Sequence, residues 1–434
     1  MTASFHPLPI IDDVVAHRYQ TPELGGPLRP PLRRIAVADS LDGAEAELVA
    51  GLDLGARLAV VGDENTWPVL GARVAAALPG AEQIVLDHPK ADEANADLLQ
   101  DRTRHADALI AVGSGTINDL CKYVTHRTGR RSAVFATAAS MDGYVTTTVS
   151  ITRGGFKLSL PAQSPAGVFF DLSVLAAAPL RMMRAGLGDT VCRTTAQADW
   201  LLSHLLLDTV YAETPYRLMA EDEPKLYARA HLLPEGDLGA MLALTRMLIL
   251  SGLGVLVTGT SHCGSMGEHA ISHFIDTFAD PHPKTLHGEQ VGIATWTMAR
   301  LQTTMLSTET PPVLAPLPID PERYRRDYGR LAPACLAAVQ KKPFAGEGTE
   351  RLNRRLTERW SVVRERILSV MLPLAEIERV MRAAGAPLTA AELGMDPALY
   401  RRAVGGAHEL RDRYCFLDLA AQAGVLERFM AGEG

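Results

Sequence analysis

Short β-branched and aliphatic runs alternate with amphipathic stretches through roughly the first 175 residues of the chain. Apolar runs at 35–38, 57–61, 83–86, 108–112 and 133–135 predict strands, and residues 67–77, 91–103 and 116–127 carry apolar positions at helical spacing. Strands alternating with helices of about 10–15 residues form βαβ units and therefore a parallel, doubly wound sheet. Ligands of such sheets bind at the carboxyl ends of the strands. A Pro-rich leader, TPELGGPLRPPLRR, precedes the first strand, and TTTVSIT, GGFKLSL and AGVFF within 145–170 predict further short strands set apart by Gly and Pro. From about residue 172 helical periodicity takes over to the end, punctuated by Pro179, Pro224, Pro281 and the cluster at 310–318. The pattern predicts an α/β, doubly wound nucleotide-binding domain over residues 1–175 and an all-helical, metal- and substrate-binding domain over 176–434.

Composition changes this picture little. With 47% hydrophobic and 21% charged residues the chain is that of a globular protein, and its net charge of -7 argues against nucleic acid or an anionic membrane as the main partner. The most apolar stretch, Leu238–Thr258, carries Arg246 and the run SGLG and is expected to be a buried helix, with no membrane span. Five scattered cysteines without a C-x-x-C pair suit a reducing cytoplasm, and the first 20 residues lack the basic start and apolar stretch of a signal peptide.

The candidate chemistry begins with histidines. Five of thirteen, His262, His269, His273, His282 and His287, fall within 26 residues. His269 and His273 stand at i and i+4 on one helical face, and His287 opens the next helical stretch after the turn ADPHPK. Two imidazoles need a third ligand to hold a divalent ion and keep a position open for substrate. Asp189 in AGLGDTVCRT is the candidate carboxylate. By spacing alone, the reading of the same histidines as helix caps or buried hydrogen-bond partners is slightly the stronger one.

A second signal is LIAVGSGTINDL, a strand, a glycine turn and a helix start. Gly113 and Gly115 would let the backbone approach a pyrophosphate at the helix N-terminus, although the spacing is not G-x-G-x-x-G and a plain tight turn fits as well. VVGDENT and FATAASMDGY end other strands with small and acceptor-bearing residues. Asp87 could pair with the 2′-hydroxyl of NAD and reads equally as a solvated turn residue, while Lys157 and Lys284 are candidate anion contacts that read more readily as solvated loop residues.

Taken in order, GSGTINDL, TAASMDGY, GFKLSLPA, GLGDTVCR, ADWLLSH, GEHAISH, LHGEQVG and ELRDRYCFLDLA resemble the sn-glycerol-1-phosphate dehydrogenase family, within the superfamily of iron-type alcohol dehydrogenases and 3-dehydroquinate synthase. The resemblance implies metal ligands at Asp189, His269 and His287 and substrate contacts at Asp142, Asp189 and His273, with His273 and Asp142 as catalytic groups. It implies NAD or NADP contacts at Asp63, Gly115, Thr116, Ile117, Asn118, Asp119, Thr137, Ala138, Ala139, Ser140 and Thr146, the last standing where relatives carry Ser. His262, Cys263 and His282 match no ligand position, and the segment GTSHCGSMG departs from the family pattern, as do residues 211–236 and 303–345. The implied enzyme reduces dihydroxyacetone phosphate to sn-glycerol 1-phosphate, a polyol phosphate of glycerophospholipid metabolism. It would use one divalent metal, zinc before nickel or iron, and would work as a homo-oligomer. A glycerol or other alcohol dehydrogenase, or a non-catalytic nucleotide-binding descendant, is the alternative.

Overall fold

The computed structural model describes residues 3–21, 25–27, 30–154 and 156–433, so parts of the Pro-rich leader and Gly155 of the GGFKLSL run lie outside the described residues. Contacts divide the chain into two compact units, Met1–Thr190 with Ala212–Thr260, and Val191–Tyr211 with Ser261–Gly434. Whereas the sequence pattern divides the chain at 175/176, these units group residues 176–190 and 212–260 with the sheet.

The first unit is built on a six-stranded, all-parallel sheet. Its strands are β1 (Arg34–Ala38), β2 (Leu58–Asp63), β3 (Glu82–Leu86), β4 (Ala108–Gly113), β5 (Arg131–Ala136) and, after a hairpin, β8 (Gly167–Asp171). The hairpin pairs β6 (Thr148–Arg153) with β7 (Phe156–Pro161) antiparallel. The order across the sheet is β1-β8-β5-β4-β2-β3. Burial varies across the sheet: every residue of central β4 is buried and edge strand β1 nearly so, whereas edge strand β3 buries only Ile84 and Leu86. The helices predicted over 91–103 and 116–127 form as α1 (Glu93–Arg102), capped by the Asp92 side chain, and α2 (Gly115–Thr128). The helix predicted over 67–77 opens as a π turn, Trp67–Gly71, before Ala72–Ala77. Gly71 lies against the Trp67 ring there, where a Cβ would stand 2.7 Å from Cε3.

Two further helices complete the described framework of the site in this unit. α3 (Leu180–Val191) carries GLGDT, its last residue falling in the second unit, and α5 (Leu238–Thr258), numbered after α4 of the second unit, is 21 residues long. By length and mean hydropathy of 2.0 α5 could cross a membrane, but 78% of its apolar window is buried inside the protein, which accounts for its composition. The SGLG run does not break it. A Cβ on Gly252 would lie 2.4 Å from the Asp142 carbonyl oxygen, so the small residue lets the loop sit directly on the helix.

Every element described in the second unit is helical. Those that matter for function are α4 (Arg193–Leu207), α6 (Gly267–Phe278), α7 (His287–Leu306), α8 (Gly346–Leu368) and α9 (Phe416–Gln422). Helices α6 and α7 pack together along their lengths.

Candidate active site

The nucleotide residues expected from the sequence gather at the carboxyl ends of neighbouring strands β5, β4 and β2. Asp63 ends β2, and its carboxylate accepts from the backbone of Asn65 and Thr66 at 3.0 and 2.8 Å, which shapes the turn after the strand. After β4 the first intrahelical bond of α2 runs from Asn118 N to Ser114 O, so the N–H groups of Gly115, Thr116 and Ile117 form the open helix start. The two glycines there have different causes. A Cβ on Gly113 would meet Ile117 Cβ at 2.6 Å, an internal demand of the turn, while Gly115 has nothing nearer than 3.5 Å and leaves a cradle over the helix dipole.

Within the predicted set, Gly115, Thr116 and Ser140 are part-exposed, whereas Ile117, Asn118, Asp119, Thr137, Ala138, Ala139 and Thr146 are buried. The buried polar members turn inward and build the loop that follows β5. Lys122, also buried, donates to Gly143 O (2.8 Å), Thr148 O (2.9 Å) and Thr146 Oγ1 (3.1 Å). Burial pushes its amine down to about 8, with Asp119 and Asp142 pulling the other way. Asp119, its carboxyl raised by burial, accepts from Asn118 Nδ2 and Ser150 N, tying α2 to the hairpin. Lys122 was not singled out by sequence; its position among Ile117, Leu120, Cys121 and Val124, all buried, was the available signal.

This loop presents Asp142. Ser251 on α5 donates to its carboxylate at 2.8 Å, and its backbone N–H donates to Asp189 Oδ2 at 3.0 Å. Asp189 is buried on α3, one turn beyond Gly186. A Cβ on Gly186 would lie 1.9 Å from the Ala139 carbonyl oxygen, so only glycine lets α3 come close enough for Asp189 to reach the loop. The glycines of AGLGDT therefore serve packing, and the carboxylate's place follows from it.

The second unit assembles the histidines. The rings of His269 on α6 and His287 at the start of α7 are 5.0 Å apart, and His273 lies 6.1 Å from His287. Hydrogen bonds fix the tautomers of both nearer rings. Glu268, fully buried, faces His269 Nδ1 at 3.0 Å; a carboxylate can only accept, so Nδ1 carries the proton and Nε2 the lone pair. For His287 the chain is longer: Gln290 Nε2 donates to Asp276 (3.0 Å) and Thr285 (2.9 Å), which sets its amide. Its Oε1 then receives the Ser272 hydroxyl proton at 2.6 Å, so the 3.1 Å contact between Ser272 Oγ and His287 Nδ1 has the imidazole as donor. Both rings thus offer Nε2 as a base, the arrangement of metal-ligating histidines held by outer partners.

Glu268 and Ser272, unnamed by the sequence reading, are the outer partners, and their signal was proximity to the histidines in GEHAISH. Cys192, Glu268 and His269 also bring three donor atoms within 4.8 Å of one another. There Glu268 already accepts from Met266 N, Thr195 Oγ1 and His269, and Cys192 Sγ donates to Gly264 O, so this cluster supports His269 and does not compete for it. Gly267 N and Phe416 N donate to Asp199, whose carboxyl is pushed up to about 8 by burial and then by Glu268. The remaining candidates lie elsewhere. His282 bonds Asp276 (3.0 Å); Asp87 follows edge strand β3 with a 94% exposed side chain; Lys157 is on β7; and Lys284, at φ 57, stands in the turn before α7.

Comparison with known proteins places these features. A family model described as iron-containing alcohol dehydrogenase matches residues 36–179. The chain is 28% identical over 373 residues to a glycerol-1-phosphate dehydrogenase [NAD(P)+] of Halalkalibacterium halodurans, covering 82% of this chain and 84% of that one. It is 30% identical over 321 residues to the enzyme of that name from Methanothermobacter thermautotrophicus, covering 71% and 90%. Among solved structures, a probable glycerol dehydrogenase from Sinorhizobium meliloti superposes with a TM-score of 0.59 at 18% identity, covering 90% of this chain and 95% of that one. The NADH-dependent butanol dehydrogenase A of Thermotoga maritima gives 0.58 at 13%, covering 93% and 97%; both likenesses are of fold.

Proposed function

The chain belongs to the glycerol-1-phosphate dehydrogenase family, and from that premise we propose that this NAD(P)-linked oxidoreductase interconverts dihydroxyacetone phosphate and sn-glycerol 1-phosphate. The observation that carries the reading is the pair of tautomer-locked imidazoles, His269 and His287, each presenting Nε2. With the Asp189 carboxylate that the family resemblance implies as third ligand, they would make a donor set that suits zinc, and also nickel or iron. The open start of α2, where a Cβ on Gly115 would meet nothing nearer than Met141 Sδ at 3.5 Å and Thr137 to Ser140 follow the adjoining strand, fits the pyrophosphate of NAD or NADP.

When bound, the divalent ion supplies Lewis acidity toward the substrate carbonyl and the nicotinamide supplies the hydride. The chain's own part is orientation and proton handling. Asp142, its carboxylate held by Ser251, orients a substrate hydroxyl, and His273, part-exposed on α6, delivers or accepts the proton at the alcohol oxygen. We assign the protein to the cytoplasm, as a homo-oligomer; its five free, buried cysteines suit that compartment.

Oxidation of NADH and NADPH is to be followed with dihydroxyacetone phosphate, dihydroxyacetone and other small ketones, before and after metal removal, with the metal identified by elemental analysis. Turnover of dihydroxyacetone phosphate, lost on chelation and restored by the metal, is the expected result. Turnover of only unphosphorylated ketones would move the assignment to a glycerol-type dehydrogenase. Absence of turnover with any ketone despite bound metal would overturn the dehydrogenase reading.

A further inference from the structure

Two departures from the family pattern, His262 and the segment 341–345, are left unused by the proposed chemistry, and in the second unit they meet. They line a cavity of about 500 Å³ together with Arg351, Arg413 and Asp412. All its lining residues belong to that one unit.

The charges around it do not balance. Asp412, the one carboxylate in the lining, pairs with Lys341 at 2.9 Å, and Lys342 pairs with Asp418 at 2.7 Å. Among the described residues no carboxylate comes within ion-pair distance of Arg351, an exposed side chain, or of Arg413, on which Asp412 and Glu268 act only through space. Arg413 donates only to neutral oxygens, Ser265 O and Ser261 Oγ, and the neighbouring Arg411 converges on the same Ser265 through its hydroxyl at 3.0 Å. Burial and then the charge of Arg413 push Arg411 down to about 9. Burial and the same two guanidiniums hold His262 near 3, so it stays neutral and adds no charge of its own.

A second feature points the same way. The 23-residue helix α8 begins at this cavity: its cap residue Ala345 and its first-turn Gly348 are both in the lining. Ala345 has no side-chain acceptor to offer the first turn, so the positive end of a long helix dipole, offset in part by Glu347, faces the same space as the two arginines.

We propose that this cavity is a binding site for a phosphate-type oxyanion, free or carried as a phosphomonoester, held by Arg351, Arg413 and the first turn of α8. The volume exceeds that of a bare phosphate and leaves room for an organic group. Through Arg413 the anion would also brace Ser261 and Ser265, the segment from which α6 and its histidines start. The site is independent of the dehydrogenase reading and can stand or fall without it.

Isothermal titration of the full-length, metal-loaded protein with inorganic phosphate and with phenyl phosphate, at constant ionic strength in chloride, tests this. Saturable binding is expected in the wild type and in Asp142→Asn, weakened at least tenfold in Arg351→Glu and unchanged in Arg325→Glu, an exposed arginine elsewhere. Tighter binding of phenyl phosphate would assign an organic phosphate; tighter inorganic phosphate, the free ion. The proposal is overturned if neither probe binds, if Arg351→Glu binds as the wild type does, or if Asp142→Asn alone abolishes binding and so places the anion in the active site.

Discussion

Replacing Lys122 by methionine isolates what a buried charge does for the loop that carries Asp142. The lysine serves three acceptors, Gly143 O, Thr148 O and Thr146 Oγ1. The Thr146 hydroxyl has one proton and can still serve only one of the two carbonyls, and Asn118 Nδ2 reaches Gly143 O only at 3.5 Å, so the variant leaves one carbonyl all but stranded. A stranded buried acceptor costs about 1–3 kcal/mol and each lost charge-assisted bond about as much, while methionine restores most of the volume. A net loss of about 2–4 kcal/mol is expected, which for a domain of about 150–250 residues lowers Tm by roughly 5–15 °C. The wild type also has a pH signature that the variant lacks. The folded amine titrates near 8 and the unfolded one near 10.5, so between those values the unfolded chain holds more protons. The stability difference between wild type and variant should therefore rise with pH across that window and fall as pH drops through 8. Scanning calorimetry across this range, with NADH binding followed by fluorescence, reads both effects. A variant that melts within about 1 °C of the wild type, with a pH-independent difference and unchanged NADH affinity, would refute the reasoning.

Three further outcomes follow from the geometry. Gly186→Ala places a Cβ 1.9 Å from the Ala139 carbonyl oxygen, so α3 must retreat, at a cost of about 3 kcal/mol; thermal melting and NADH titration should both register it, and a wild-type melt would mean that the loop yields freely. Glu268→Gln preserves shape but weakens the acceptor for His269 Nδ1, and should lower metal affinity about 10–100-fold, measured by chelator competition; an unchanged constant would remove Glu268 from its supporting role. His287→Ala should leave helical content intact by circular dichroism while abolishing metal retention and activity, and stoichiometric metal in the purified variant would show the ligand assignment to be wrong.

The parts legible in the sequence were those governed by local periodicity and punctuation. Strand β4 reads as a continuous apolar run because every residue in it is buried, and the helices around 93–102 and 115–128 read from their spacing. The strand order was not legible, because all the central strands carry similar buried runs and nothing local states that β8 sits between β1 and β5. The same limit applies at the candidate site. His269 and His287 are conspicuous as residue types, but their tautomers depend on Asp276, Gln290 and Ser272, ordinary helix residues whose role exists only once α6 and α7 are packed. Lys122 was hidden for a related reason: a lysine next to apolar positions reads as solvated until three carbonyl and hydroxyl oxygens from a distant loop close over it.

The division of the chain into units has a consequence for how the molecule is made. It passes between them three times, after residues 190, 211 and 260, so that α4 is committed to the second unit before the first has received α5. Neither unit is one contiguous stretch: ending the chain at 175 or 190 leaves the first unit without 212–260, and ending it at 260 leaves α4 without the rest of the second. During synthesis the sheet can pair early, but the loop bearing Asp142 lacks Ser251 until α5 has emerged, and α4 then waits for the last 170 or so residues. Helpers that shield exposed apolar helices, α5 above all, would therefore matter more in its biogenesis than for a protein whose domains follow one another like beads.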